Sequence, residues 1–169
     1  MDFLSNTDWS FPIPIYYGPD RIKELPNLCK LNNLSRPLIV TDRGSTTLPF
    51  INDLLKDLNN SHIKCNLFSE ISPNPLDKEI NNGKLAFNDG RHDSIIAIGG
   101  GSGMDGGKAI SLIANNSQEL WEFDYDKPPI SKLSNFPPLI CIPTTAGTGA
   151  ETESTAMITN SELGMKLCI

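Results

Sequence analysis

One string constrains the fold more than any other: Ile98-Gly99-Gly100-Gly101-Ser102-Gly103-Met104-Asp105-Gly106-Gly107-Lys108, directly behind the apolar run 94–98. An apolar run that breaks into glycines and resumes as helix-forming residues reads as a buried strand, a tight turn and a helix. The free amide N–H groups at such a helix start, with the positive end of its dipole, favour a phosphate. Glycines let the backbone approach that anion without a Cβ in the way. Ser102 is expected to cap the helix, with Asp105 three residues on in capping-box position. Gly101, Gly103 and Gly106 match G-x-G-x-x-G, a weak signal alone. A P-loop is excluded, because Ser102 stands where its first glycine is required and Ala109 replaces its metal-binding hydroxyl.

The rest of the chain repeats the strand-turn-helix unit. Strands are expected at 13–17 (an edge strand, with prolines), 37–41, 63–68, 94–98 and 139–142. Helices are expected over 20–31, interrupted by Pro26, and after Thr46 or Thr47 as the cap, with Phe50, Leu54, Leu55 and Leu58 on one face. A further stripe carries Leu76, Ile80, Leu85 and Phe87, and the last helix runs from the glycine string to about Asn115. Strands apolar on both faces and alternating with helices mean a parallel sheet covered on both sides, an α/β nucleotide-binding architecture. Residues 156–159 and 165–169 read as two strands joined by a turn, so the chain ends on an apolar strand. An uncovered strand of that kind is an aggregation edge, and the expectation is that more polypeptide, a second domain, follows Ile169.

With 14 Lys+Arg against 20 Asp+Glu the net charge is −6, and no basic run is present. Nucleic acid and anionic membranes are therefore poor partners, and a bound anion has to be gripped locally by backbone amides. No apolar run is long enough to span a bilayer, and residues 1–20 lack Lys and Arg, so the expected address is the cytoplasm. The four scattered cysteines, Cys29, Cys65, Cys141 and Cys168, read as small buried hydrophobes in a reducing compartment.

A second motif, Pro143-Thr144-Thr145-Ala146-Gly147-Thr148-Gly149-Ala150-Glu151, also follows a strand. Both loops then leave the carboxyl ends of parallel strands, the edge where open α/β sheets bind ligands. Hydroxyls among small residues suit a pyrophosphate or a ribose. Asp42 closes the strand 37–41, where a carboxylate can accept bonds from both hydroxyls of an adenosine ribose and repel a 2′-phosphate. Glu122 and Asp124, at the spacing a simple Rossmann reading uses, lie in an irregular aromatic stretch and are set aside.

Gly99-Gly100-Gly101-Ser102-x-x-Asp105-x-x-Lys108 followed by Pro143-Thr144-Thr145-Ala146-Gly147-Thr148-Gly149-x-Glu151 resembles the iron-containing (group III) alcohol dehydrogenases over essentially the whole chain. That resemblance implies that residues 1–169 are an N-terminal, Rossmann-like NAD-binding α/β domain, with the family's C-terminal all-helical domain missing. It implies that Gly99, Gly100, Gly101, Ser102 and Asp105 form the cofactor turn, with Gly100, Gly101 and Ser102 on the pyrophosphate. Thr144, Thr145 and Thr148 would line the same cofactor, and Asp42 would favour NAD over NADP. Asn74, in a Pro-Asn-Pro loop, would lie near it, Lys166 would contact its ribose, and Thr155 would line the substrate pocket. Gly107 replaces the usual alanine and Ala150 the usual serine, both small and expected to be harmless. Thr152-Glu153-Ser154 replaces the commoner Val-Thr-x.

In the family the catalytic Fe²⁺ or Zn²⁺ is held by one Asp and three His beyond this region. His62 and His92 are far apart and read as surface residues, so no metal ligand and no catalytic residue is expected in this chain. The implied activity is hydride transfer between a small alcohol or aldehyde and nicotinamide, by a homodimer, with this polypeptide alone impaired. Two other readings stand beside it: a non-catalytic NAD-binding module, and a dehydroquinate-synthase-like lyase that uses NAD transiently.

Overall fold

The structure, a computed structural model, describes residues 13–169; the first twelve of the twenty positions that lack Lys and Arg lie outside the described residues. Its centre is a four-stranded parallel sheet in the order β2-β1-β3-β4. The strands are β1 (Pro37–Asp42), β2 (Asn66–Ile71), β3 (Ser94–Gly99) and β4 (Leu139–Pro143). Four helices alternate with them: α1 (Leu25–Leu31), α2 (Pro49–Asn60), α3 (Asp77–Asp89) and α4 (Gly101–Ala114). An antiparallel hairpin of β5 (Met157–Asn160) and β6 (Met165–Cys168) follows.

Two hydrophobic layers sandwich the sheet. On one face Leu38, Val40 and Ile95 meet Ile80, Phe87, Ala109, Ile110 and Ile113 of α3 and α4. On the other, Ile39, Ile96 and Ile98 meet Leu25, Cys29, Ile51, Leu54 and Leu58 of α1 and α2. Successive strand residues point to opposite faces, so β3, with both faces covered, is apolar at Ile95, Ile96, Ala97 and Ile98.

Several local expectations give way. Residues 13–17 form no strand, and Ile15 and Tyr17 are exposed. The 20–31 helix is a 3-10 turn at Arg21–Glu24 running into α1, whose first turn contains Pro26, a place where its missing N–H costs nothing. α2 starts at Pro49 with Leu48 ahead of it and no side-chain cap, while Thr46 and Thr47 belong to a preceding 3-10 turn. β2 begins three residues later than expected, because Ile63 enters the core from a loop. Leu85 is exposed, and Gly83 and Phe87 take its place on the buried face of α3. His92 is buried rather than at the surface, with Nδ1 2.8 Å from the Arg36 carbonyl oxygen. Ile169 extends the expected hairpin: its N–H and C=O both bond to Ala156 at 2.9 Å, and its side chain packs against the α3–α4 layer.

Gly107 is more than a small residue. A Cβ built there would lie 2.4 Å from the Cβ of Ala97, so α4 rides closer to β3 than an alanine permits without a backbone shift.

Asp93 ties the sheet's amino edge together. Its Oδ2 accepts from Ser35 N (2.8 Å), Ser35 Oγ (2.8 Å) and Arg36 N (2.9 Å), and its Oδ1 from Ser94 Oγ (2.8 Å). Burial alone raises its pKa, but these donors outweigh it and hold the carboxyl below its usual value. A depressed folded pKa contributes stability that is complete above the unfolded value and lost as pH falls through the folded one. Asp93→Ala is expected to cost about 2 kcal/mol at neutral pH and to flatten the loss of stability in acid. Urea unfolding from pH 2 to pH 6 checks this, and parallel profiles for variant and parent would exclude the role.

Candidate cofactor site

The site lies along the carboxyl edge of β1, β3 and β4. Gly99 ends β3 at φ +150°, and a Cβ there would stand 2.8 Å from Asp42 Oδ2, so only glycine fits between the turn and that carboxylate. In α4, Met104 N donates back to Gly100 O at 3.1 Å, which leaves the amides of Gly101, Ser102 and Gly103 ahead of the helical ladder.

The threonine loop abuts the same turn. Parallel pairing of β3 and β4 puts Gly99 opposite Pro143, and Thr144 N donates to Gly99 O at 2.9 Å. Thr145 Oγ1 would lie 3.4 Å from a Cβ on Gly100, and Thr148 Cγ2 3.5 Å from one on Gly101. Thr144, Thr145 and Thr148 are all exposed, so their hydroxyls open to solvent beside the amides. Two turns separated by some forty residues of sequence thus form one continuous cradle.

Asp42 sits at the end of β1, half-buried, where the β1–β2 register shifts between Val40 and Asp42. Its carboxylate accepts from Ser45 N (3.0 Å) and Ser45 Oγ (2.7 Å), which fixes its orientation beside Gly99. Asn74, at φ +61°, donates its N–H to Ser102 Oγ at 3.4 Å and accepts from Lys166 Nζ at 3.2 Å through its side chain. Asp42, Asn74, residues 99–102, Thr144, Thr145, Thr148 and Lys166 therefore gather on one rim.

Two expectations about α4 change. Gly100, not Ser102, occupies the cap position, and the Ser102 hydroxyl serves Asn74 instead. Asp105 makes no capping box; its Oδ2 accepts from Met157 N at 3.2 Å, away from the turn. Burial raises its pKa, opposed by that amide and by Lys108 and Lys166. Thr155 is half-buried, and its carbonyl accepts from Lys108 Nζ at 2.9 Å.

Glu79 is a residue the sequence reading missed. Only 4% exposed, it accepts from Ser72 N (3.1 Å), Ser72 Oγ (2.9 Å) and Leu76 N (3.0 Å) through one oxygen, and from Arg43 Nη2 (3.2 Å) through the other. It braces both ends of the loop that carries Asn74. The available signal was its place three residues after Leu76, the inner half of a capping box.

Among the described residues no three or more His, Cys, Asp or Glu side chains gather as a metal site, so these residues do not fit the family's metal. No described helix is long and apolar enough to cross a membrane.

The sequence model for iron-containing alcohol dehydrogenases matches residues 12–169. The 1,3-propanediol dehydrogenase of Klebsiella pneumoniae is 30% identical over 165 residues, 96% of this chain and 42% of that protein. The NAD-dependent methanol dehydrogenase of Bacillus methanolicus is 30% identical over 165 residues, 95% of this chain and 42% of its own length. A solved structure of sulfoacetaldehyde reductase from Bifidobacterium kashiwanohense in complex with NAD⁺ superposes with a TM-score of 0.87 at 25% identity, covering 98% of this chain and 43% of that one. The chain thus spans about 42% of the length of these curated relatives. A glycine turn and a threonine turn on adjacent parallel strands, a carboxylate at the next strand end and a family match over nearly all residues agree: the chain belongs to the iron-containing alcohol dehydrogenase family.

Proposed function

We propose that this chain is the NAD-binding region of a dehydrogenase that moves hydride between a small alcohol or aldehyde and nicotinamide. The observation that carries the reading is the shared cradle, in which Thr144 N bonds Gly99 O at 2.9 Å and Thr145 lies against Gly100. The amides of Gly101, Ser102 and Gly103 bind the diphosphate, and the threonine hydroxyls flank it. Asp42, oriented by Ser45, accepts from the adenosine ribose hydroxyls and repels a 2′-phosphate. Lys166, beside Asn74, reaches the second ribose, and Thr155 borders the substrate.

Bound there, nicotinamide supplies the hydride carrier. The negative charge that the substrate oxygen carries when an alcohol gives up its proton, or gains when hydride reaches an aldehyde carbon, needs stabilisation, and among the described residues no cluster of His, Cys, Asp or Glu gathers to hold a metal for it. This chain's part is to bind and orient the dinucleotide. Relatives named for 1,3-propanediol and methanol support small alcohols as the substrate class.

Calorimetric titration with NAD and NADP tests the proposal. Micromolar to millimolar NAD binding with weaker NADP binding is expected, and no binding of either rejects it. Asp42→Gly is expected to shift the ratio of the two dissociation constants toward NADP by about tenfold, about 1.4 kcal/mol. An unchanged ratio would remove Asp42 as the ribose reader.

A further inference from the structure

Lys108 has no place among the cofactor contacts, yet it is drawn deep into the fold. Its side chain is 11% exposed, its Nζ donates to the Thr155 carbonyl at 2.9 Å, and it lies 3.9 Å from Asp105 Oδ1. Asp105, 14% exposed, takes the Met157 amide on its other oxygen at 3.2 Å. One turn of α4 therefore grips the backbone on both sides of Ala156, the residue whose N–H and C=O pair with Ile169 to close the open end of the β5–β6 hairpin. The hairpin is held from a second side where Thr159 N donates to Pro75 O at 2.7 Å.

Lys166 rides on that hairpin, opposite Thr159 in the β5–β6 register. Its Nζ meets Asn74 Oδ1, and Asn74 N meets Ser102 Oγ. The contacts close a circuit that leaves α4 at Lys108 and Asp105, passes through the hairpin to Lys166 and Asn74, and returns to α4 at Ser102. A lysine buried to this degree is costly unless its charge is used. Here it neutralises Asp105 and binds a carbonyl that no strand partner takes.

We propose that Lys108 is a positioning residue: it fixes the root of the β5–β6 hairpin and thereby the reach of Lys166 to the cofactor. This rests on the reading that Lys166 contacts the dinucleotide. Lys108→Met keeps the apolar stem and removes the ammonium, so Thr155 O loses its donor and Asp105 its neighbouring cation while the helix remains.

The test is a double-mutant cycle on NAD affinity, read by titration of the full chain, with hydrogen exchange of the hairpin amides in parallel. Lys108→Met is expected to weaken NAD about tenfold, and Lys166→Ala by a similar factor, with the double variant little worse than either single one. Faster exchange at Met157 and its β5–β6 neighbours, with β1 and β3 unchanged, is the accompanying signature. Lys108→Arg, which restores a donor and a charge, is expected to recover most of the affinity. Multiplying losses in the double variant, full NAD affinity in Lys108→Met, or unaltered hairpin exchange would each overturn the proposal. Failure of the unsubstituted chain to bind NAD would instead reject the cofactor reading, and the exchange result would then decide whether Lys108 secures the hairpin.

Discussion

Ser102→Trp is expected to abolish measurable NAD binding while leaving the sheet folded. Ser102 sits in the first turn of α4, half-buried, with its hydroxyl 3.4 Å from Asn74 N and the amides of the turn around it. An indole at this position covers the amides and fills the space between the glycine turn and the Asn74 loop. Hydrogen bonds to a charged phosphate contribute about 1.5–3 kcal/mol each, so loss of two weakens binding at least about 100-fold. The residue lies at the mouth of the site, above the packed layers, and the melting temperature is expected to change by only a few degrees. Ser102→Ala serves as the control, since it removes one long hydrogen bond and leaves the amides open. Titration of both variants, with thermal melts, checks the claim. A Trp variant that binds NAD as the parent does would show that the anion is held elsewhere.

Features buried on both sides were legible in the sequence, and features fixed by distant partners were not. β3 read directly, because a parallel strand covered on both faces needs an unbroken apolar run and the turn behind it announces itself in glycine; β4, half-buried at the other edge of the described sheet, read from its own apolar run ahead of the threonine turn. The adjacency of the two loops followed from the same strands, and Asp42 from its position at a strand end. β2 was misplaced because it is an edge strand whose Asn66, Leu67 and Glu70 face solvent, so burial leaves no alternation to read. Ser102 and Asp105 have capping-box spacing, but Asn74 N and Met157 N, 28 and 52 residues away, compete for their oxygens and win. The hairpin was visible as two short apolar runs, whereas its attachment through Lys108 depends on contacts no local pattern encodes.

Glu79→Leu is expected to be the most destabilising single change at the site, by about 3 kcal/mol. The carboxylate is nearly enclosed, and one oxygen collects three donors from the loop between β2 and α3. Leucine matches its volume but leaves Ser72 N and Leu76 N facing an apolar group, with desolvation unrepaid. Arg43 loses least, since its side chain is 63% exposed and can turn to water. Glu79→Gln separates hydrogen bonding from charge: an amide oxygen in the Oε2 position still serves all three loop donors, so its cost is expected to stay below about 1 kcal/mol. Because the loop presents Asn74 to Ser102 and Lys166, the leucine variant is also expected to bind NAD more weakly than the glutamine variant at temperatures where both are folded. Urea unfolding of the pair, followed by NAD titration, decides the matter. If leucine lies within about 0.5 kcal/mol of the parent, the loop is held by its prolines and by its contacts to Thr159, Ser102 and Lys166, and Glu79 has no part in shaping the cofactor rim.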